Sequence, residues 1–136
     1  MDFIKTIQAR QLSEEEIFYI VEEKINVVFN TYGPGLFERL YQKVLYYELS
    51  KYGFEVLEEV KLPVFYDDVR LDSSFRVGLL INKKVIIELK SRHHLTDFDH
   101  KQIDTYLRLS NIKLGVLVNF WTTDINNSII KKINDY

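Results

Sequence analysis

One stretch of the chain, residues 75–91, limits most strongly what this sequence can fold into. It reads FRVGLLINKKVIIELKS, two apolar runs separated by Asn82-Lys83-Lys84, a pattern typical of a β-hairpin. In the second run, Val85-Ile86-Ile87 is apolar at every position, so this strand would present apolar side chains to both faces of its sheet. Such a strand has to be covered on both sides. We therefore predict an α/β fold in which helices flank a central sheet.

The other segments supply helices and strands in a compatible order. Ser13 and Glu16 have the spacing of a capping box and predict a helix start, and Gly53 is expected to end a second helix that begins near Leu36. Strands are then predicted at residues 54–56, 62–65, 69–81 and 84–91, followed by a helix over 98–109 with Thr96-Asp97 as its cap, a buried strand over 114–120 and a closing helix over 125–133. This order predicts a single mixed α/β domain over residues 1–136.

Composition excludes several classes of site. The chain has 136 residues and no cysteine, so disulfides and thiolate metal sites are excluded. Its apolar runs are too short to span a bilayer and no signal-peptide pattern opens it, so we expect a cytoplasmic protein that does not contact membranes. Its oligomeric state is not encoded in any recognisable pattern.

Charge is distributed unevenly along the chain. Residues 1–75 contain 8 Lys+Arg and 14 Asp+Glu, a net charge of −6, whereas residues 76–136 contain 10 and 6, a net charge of +4. A basic second half is able to attract phosphate groups. The alternative is that two adjoining surfaces differ in charge without any functional reason.

The second strand of the hairpin ends in the triplet Glu88-Leu89-Lys90. Glu-x-Lys occurs three times in the chain, but only this copy follows a fully apolar strand, where charged groups are poorly hydrated. An acid and a lysine two residues apart on a strand point to the same face. This pairing suits metal-assisted cleavage of a phosphodiester, while the competing interpretation is a strand that emerges into solvent at Glu88.

Several separate blocks of the sequence resemble one family. The segment GPGLFERLY carries Gly35, Glu38 and Tyr41 in the spacing of the GxxExxY family, and the blocks FEVLEEVKLPVFYDDVRLDSSFRVGLL, VIIELKS and HKQIDTYLRLSNIKLGVLVNF continue the match in order. That family is regarded as part of the PD-(D/E)XK nuclease superfamily, whose core is αβββαβ. The resemblance therefore implies this core, with a mixed central sheet flanked by helices and an extra N-terminal helix.

The resemblance also implies a catalytic site. In such nucleases the Glu of Glu-x-Lys and a strand acid hold Mg²⁺ or Mn²⁺, and the lysine activates the attacking water. Carried over to this sequence, Glu88 would be a metal ligand, Lys90 the catalytic lysine and Glu38 an auxiliary acid aimed at the same metal. The alternative for Glu38 is a solvated helix acid that pairs with Arg39 or Gln42.

Further residues would position the substrate. Gln102 and Tyr106 resemble the Gln-x-x-x-Tyr helix motif of RecB-like members and lie one turn apart on one helix face. Arg76, at the start of the first hairpin strand, would offset phosphate charge. The alternative is that Tyr106 and Tyr41 are packing residues and that Gln102 is an exposed polar neighbour.

One position departs from the family pattern. Family members read Arg-x-Asp-Leu-Leu where this chain has Arg76-Val77-Gly78-Leu79-Leu80, so the third metal-ligand position is occupied by Gly78. Asp72 would lie about 20 Å away and Ser74 about 13 Å away along an extended strand, too far to replace the missing acid. His93 and His94 follow the second strand, but imidazole is a poor ligand for Mg²⁺.

The register of the hairpin provides a check on this interpretation. A three-residue turn at 82–84 sets Gly78 opposite Glu88, whereas a two-residue turn would set Gly78 opposite Ile87. The interpretation therefore requires the longer turn or a compensating bulge.

Three hypotheses follow from the sequence. The favoured one is a nuclease-fold protein whose catalysis is impaired or lost and which still binds nucleic acid, DNA or RNA, or a protein partner. The second is an active Mg²⁺- or Mn²⁺-dependent nuclease that uses Glu38, Glu88 and Lys90. The third is a plain protein-interaction domain in which the charged residues are solvated surface.

Overall fold

The computed structural model describes residues 2–71 and 75–135. Its α-helices are α1 (Phe3–Arg10), α2 (Glu14–Tyr32), α3 (Glu38–Tyr52) and α4 (Asp97–Ser110). Its strands are β1 (Val56–Lys61), β2 (Val64–Tyr66), β3 (Val69–Leu71), β4 (Arg76–Ile81), β5 (Val85–Lys90), β6 (Leu114–Asn119) and β7 (Ile129–Ile133).

Five strands form a mixed sheet in the order β1-β4-β5-β6-β7. β5 and β6 are parallel and are connected through α4, and the other neighbours are antiparallel. The run α3, β1, β4, β5, α4, β6 reproduces the αβββαβ order implied by the resemblance. The N-terminal helices α1 and α2, the separate β2–β3 ribbon and the edge strand β7 are additions to that core.

Helices cover both faces of β5, as its sequence requires. Val85 and Ile87 belong to the larger hydrophobic core, which α2 and α3 build on one face of the sheet. Ile86 belongs to a smaller core on the other face, where Tyr106 and Leu107 of α4 pack. The fully apolar run therefore lies in the centre of the sheet, because only there are both of its faces removed from water.

Two predicted helix starts are confirmed by their caps. The Ser13 hydroxyl accepts a hydrogen bond from the Glu16 backbone N–H, and the Glu16 carboxylate accepts one from the Ser13 N–H, which completes the capping box. Thr96 caps α4 in the same reciprocal way with Asp99.

Several predicted elements differ from the structure. The strand predicted over 54–56 is shifted to β1 (Val56–Lys61), and α1 was not predicted. The segment 125–133 is not a helix: a single 3₁₀ turn at Asn126–Ser128 leads into β7, which pairs antiparallel with β6. The isoleucines are spaced as on a helix, but β6 is an apolar strand that needs a partner for its backbone groups, and β-branched residues suit that role. The predicted strand over 69–81 is two strands, since β3 and β4 belong to different sheets.

The β4–β5 hairpin has the longer turn. Ile81 pairs with Val85 and Leu79 with Ile87, so residues 82–84 form the turn, and just beyond the last pair the Gly78 N–H donates a hydrogen bond to the Glu88 side chain. The strand is irregular at this point: Val77 packs in the smaller core and Leu79 in the larger one, although side chains two apart on a regular strand share a face.

No helix in the described ranges 2–71 and 75–135 is long and apolar enough to cross a bilayer.

Candidate functional site

The loop before α3 is held by a buried tyrosine. Tyr41 stacks on Phe120 at a centroid distance of 4.2 Å, donates a hydrogen bond to the Gly33 carbonyl and accepts one from the Leu36 N–H at 3.2 Å. The Ser91 hydroxyl donates to the Leu36 carbonyl at 2.6 Å, so the same loop is fixed to the end of β5. Tyr41 is thus a core tyrosine whose hydroxyl is satisfied, and it sets the position at which α3 begins.

We expect Tyr41→Phe to lower the free energy of unfolding by about 1–3 kcal/mol, because the Gly33 carbonyl and the Leu36 N–H both lose their partner in a partly buried place. Chemical denaturation measures this change. The matched control is Tyr47→Phe on the exposed side of α3, which we expect to shift stability by less than about 0.5 kcal/mol. Equal effects of the two substitutions would refute the positioning role.

Glu38, the first residue of α3, contacts the segment that follows β5. Its Oε1 accepts a hydrogen bond from the Ser91 N–H at 3.2 Å and lies 3.7 Å from Arg92 Nε. Arg92 Nη1 lies 3.1 Å from Asp99 Oδ1, so one guanidinium joins the start of α3 to the start of α4. Glu38 therefore pairs with the chain after β5 and not with Arg39 or Gln42.

Asp99 is nearly inaccessible to solvent and keeps its charge. Burial by itself raises the pKa of a carboxyl group, but the hydrogen bonds from Thr96 and the positive charge of Arg92 hold the pKa of Asp99 below its usual value. The resulting ion pair fixes the end of β5 relative to α4.

Glu88 lies in the sheet beside Gly78. Its Oε1 accepts a hydrogen bond from the Gly78 backbone N–H at 2.8 Å. Burial raises the pKa of Glu88 to about 7. The hydrogen bond from the Gly78 N–H and the positive charge of Lys90 favour the ionised form, whereas the negative charges of Glu59 and Glu38 disfavour it. Glu88 is therefore far less ready to be negative at neutral pH than an ordinary glutamate.

Gln42 occupies the space above Gly78. A Cβ added at Gly78 would lie 2.8 Å from Gln42 Oε1 and 3.2 Å from the Ile87 carbonyl oxygen. The Gln42 amide is held in this place by hydrogen bonds to Glu59 at 3.0 Å and to Glu58 at 3.4 Å. A neutral carboxamide thus stands where a side chain at position 78, such as the aspartate that the resemblance implies, would project.

β1 is distorted opposite the glycine. Glu59 has a φ of 51°, in the left-handed region that a glutamate rarely adopts, and the register of β1 with β4 sets it level with Gly78. Glu58 forms an ion pair with Lys43 at 2.9 Å. Both acids therefore have partners on α3.

Lys90 contacts α4 through Gln102. Its Nζ lies 3.4 Å from Gln102 Oε1, and Gln102 in turn hydrogen-bonds the Tyr106 hydroxyl. Tyr106 stacks on Phe75 at 4.6 Å and is nearly buried. Burial raises the pKa of its hydroxyl, with a further contribution from Glu88, so the group stays protonated. Gln102 and Tyr106 support Lys90 from behind and do not line the cavity described next.

The charged side chains around Glu88 enclose a cavity of about 440 Å³ at the end of the sheet. Four acids and four bases share its wall, and its lining residues are Glu38, Arg39, Gln42, Lys43, Glu58, Glu59, Arg76, Gly78, Glu88, Leu89 and Lys90. The structure thus brings together Glu38, Glu88, Lys90 and Arg76, which the sequence nominated from three separate segments.

Sequence reasoning missed the contribution of β1 and of the second turn of α3. Gln42 follows Glu38 by one helical turn, so it faces the same way, and this spacing was a usable signal. Glu58 and Glu59 carried a weaker signal, because only Glu59 belongs to one of the three Glu-x-Lys triplets and it follows no apolar strand.

The side chains that the structure describes in this cavity do not fit a divalent cation of the family type. Mg²⁺ requires near-octahedral oxygen ligands at about 2.1 Å. In the described parts of the chain no group of three or more His, Asp and Glu side chains is arranged to hold a metal. One oxygen of Glu88 faces the Gly78 N–H and one oxygen of Glu38 faces Ser91 and Arg92. Asp72 and Ser74 lie outside the described residues.

The two histidines after β5 are placed elsewhere. His93 packs on Trp121 with ring centroids 4.6 Å apart, and the rings of His93 and His94 are 6.2 Å apart. Neither histidine lines the charged cavity.

Comparison with known proteins places this arrangement in a family. No curated protein and no solved structure matches the chain significantly. A family model described as the PD-(D/E)XK nuclease superfamily matches residues 15–133, which includes every residue of the charged cavity. With its αβββαβ core, this chain therefore belongs to the PD-(D/E)XK nuclease superfamily.

Proposed function

We propose that this protein is a GxxExxY-type member of the superfamily that binds nucleic acid at the charged cavity and has lost, or nearly lost, the ability to cut it. The observation that carries the proposal is the local replacement at position 78. Where the family has a strand carboxylate, this chain offers a backbone N–H bonded to Glu88 and a neutral Gln42 amide. Both changes make the position less able to hold a cation.

Loss of the cation would remove most of the catalytic power. In metal-assisted phosphodiester cleavage the ion activates the water and stabilises the charge that develops on the phosphate. Lys90 remains in the cavity with Gln102 behind it, so the chain retains a positive group and its support. A lysine of this kind can still bind a phosphate oxygen.

Binding is supported by the cationic side chains of the cavity. Arg39, Lys43, Arg76 and Lys90 line it, and Arg76 is exposed at the start of β4. The raised pKa of Glu88 lowers the negative charge that an approaching phosphate would meet. The net charge of +4 over residues 76–136 acts in the same direction.

The test combines binding and cleavage on the same labelled oligonucleotides, single- and double-stranded DNA and RNA, in Mg²⁺ and in Mn²⁺. We expect fluorescence anisotropy to show binding that weakens as salt is raised, and gels to show no cleavage. Arg39→Ala/Arg76→Ala should weaken binding and reduce the slope of log affinity against log salt by about two. The matched control is Lys113→Ala, an exposed lysine just before β6 and so at the opposite end of the parallel strands.

Two results would contradict the proposal. Cleavage in Mn²⁺ that disappears in Glu88→Gln would show an active nuclease that uses Glu38, Glu88 and Lys90. Absence of salt-dependent binding to every oligonucleotide would instead favour a protein-interaction domain.

A further inference from the structure

A pair of accessible aromatic rings lies next to the charged cavity and takes no part in it. Trp121 follows β6 and is 42% exposed, and His93 follows β5 and packs against it at 4.6 Å. β5 and β6 are the parallel strands of the sheet, so both rings project beyond the carboxyl ends of parallel strands. Ligands of open α/β sheets bind at this edge.

A buried asparagine builds this ring pair. Asn119, the last residue of β6, accepts hydrogen bonds through Oδ1 from the Arg92 N–H at 3.2 Å and from the Trp121 N–H at 3.1 Å. Its Nδ2 donates to the Arg92 carbonyl at 2.8 Å. The Asn119 side chain thus fixes the loop after β5 and the loop after β6. It thereby positions His93, which follows Arg92, and also Trp121. The ring pair is therefore a positioned feature and not a chance contact of two loops.

The ring pair is continuous with the charged cavity through one short loop. Trp121 lines a second cavity of about 350 Å³, mainly apolar, together with Pro34, Gly35, Thr122 and Thr123. Three residues after Gly35, Glu38 lines the charged cavity. Arg92, which precedes His93, contacts Glu38 at 3.7 Å. An apolar aromatic surface and a cation-bearing cavity are thus neighbours on one edge of the sheet.

We propose that Trp121 and His93 form a stacking platform for an unpaired base of a single-stranded nucleic acid whose phosphates lie toward the charged cavity. Charge complementarity selects this occupant: the exposed side chains of Arg39 and Arg76 line the neighbouring charged cavity together with Lys90, which suits a polyanion that also carries flat apolar rings. A purely apolar peptide would offer no anionic group to Arg39 and Arg76. The inference rests on the proposed function, since it requires that the cavity binds nucleic acid.

The chain carries its own probe for this test, because Trp121 is its only tryptophan. The ligands are an oligothymidylate of about 12 nucleotides, within the span of a single-strand site, and an abasic strand of the same length. We expect the thymidylate to quench Trp121 fluorescence, with a midpoint that matches its anisotropy curve. The abasic strand should bind about 5- to 150-fold more weakly and leave the fluorescence unchanged.

Substitutions separate stacking from charge. Trp121→Ala and His93→Ala should weaken binding of the thymidylate, Trp121→Ala by about 5- to 150-fold, without changing the slope of log affinity against log salt, because no phosphate contact is removed. Trp121→Phe should retain most of the affinity. The matched control is Tyr19→Ala, an exposed aromatic residue on α2, which should have no effect on binding. Circular dichroism verifies that each variant is folded.

Different results would overturn the stacking platform alone and the proposed function as a whole. Salt-dependent anisotropy binding without any change in Trp121 fluorescence would overturn the platform and leave the proposed function standing. Equal affinities for the thymidylate and the abasic strand would also overturn the platform. If neither strand binds, both the platform and the proposed function are overturned.

Discussion

Glu88→Gln is expected to raise the free energy of unfolding at about pH 8 by about 3 kcal/mol, because it removes a carboxylate that burial keeps from ionising easily. Burial raises the pKa of Glu88 from 4.5 in the unfolded chain to about 7 in the folded protein. Between these values the folded state binds more protons than the unfolded state, so stability falls as pH rises. The contribution of Glu88 is fully present below pH 4.5 and is lost as pH rises through about 7.

Denaturant titrations between about pH 4 and pH 8 measure this effect through the pH dependence of the unfolding free energy. In Glu88→Gln the fall in stability between pH 4.5 and about pH 7 should largely disappear, because glutamine does not ionise. Glutamine also keeps an oxygen that can accept the hydrogen bond from the Gly78 N–H. Glu23→Gln, at an exposed position on α2, is the control and should leave the pH profile unchanged. Parallel profiles for the natural protein and Glu88→Gln would contradict this account of Glu88.

The second large effect is the recovery of metal binding in Gly78→Asp/Gln42→Ala. The new carboxylate would join Glu88 and Glu38 in the charged cavity, and removal of the Gln42 amide frees the space that it occupies above position 78. We expect calorimetry to show Mn²⁺ binding by this variant at least about tenfold tighter than by the natural protein, because carboxylates are the ligands that such cations prefer.

Steric limits make the single substitution informative. In Gly78→Asp alone the new Cβ would meet Gln42 Oε1 at 2.8 Å, so this variant should bind Mn²⁺ more weakly than the double variant. In both the single and the double variant the new Cβ lies 3.2 Å from the Ile87 carbonyl oxygen, a close contact that requires a small shift of β5. The isosteric control Gly78→Asn/Gln42→Ala should recover little binding, since it adds no charge. A double variant without any Mn²⁺ signal would show that no remnant of a metal site is present.

Local patterns in the sequence were sufficient to predict much of the fold. The apolar run Val85-Ile86-Ile87 predicted a doubly covered strand, and the capping residues Ser13 and Thr96 predicted two helix starts, because each depends on a few neighbouring side chains. The closing segment was predicted wrongly for the same reason. Its pairing with β6 is a long-range contact, and the spacing of its isoleucines suits a helix as well as a strand.

The candidate site was predicted only in part. Glu88, Lys90 and Glu38 carried a recognisable motif, and the three-residue turn that this interpretation required is present, with Gly78 beside Glu88. Gln42 was not nominated. Its importance depends on a contact between α3 and β4, in which Gln42 occupies the space that a side chain at position 78 would take.

Gly78 and Gln42 together are the basis of the proposal that this arrangement of charges no longer holds a cation. The glycine removes one ligand, its N–H bonds to Glu88, and the amide of Gln42 fills the remaining space while it binds Glu58 and Glu59. Each acid near the former ligand position therefore has a neutral or positive partner from the protein itself. On the proposed function, this arrangement favours an anion over a divalent cation in the cavity.

The most direct test of this account is a crystal structure of the natural protein grown with Mn²⁺ in excess. The account predicts no anomalous peak in the charged cavity, with the Gly78 N–H still bonded to Glu88 and the Gln42 amide still above the glycine. A strong anomalous peak that joins the carboxylates of Glu38 and Glu88 would contradict it and would identify this site as a working metal centre.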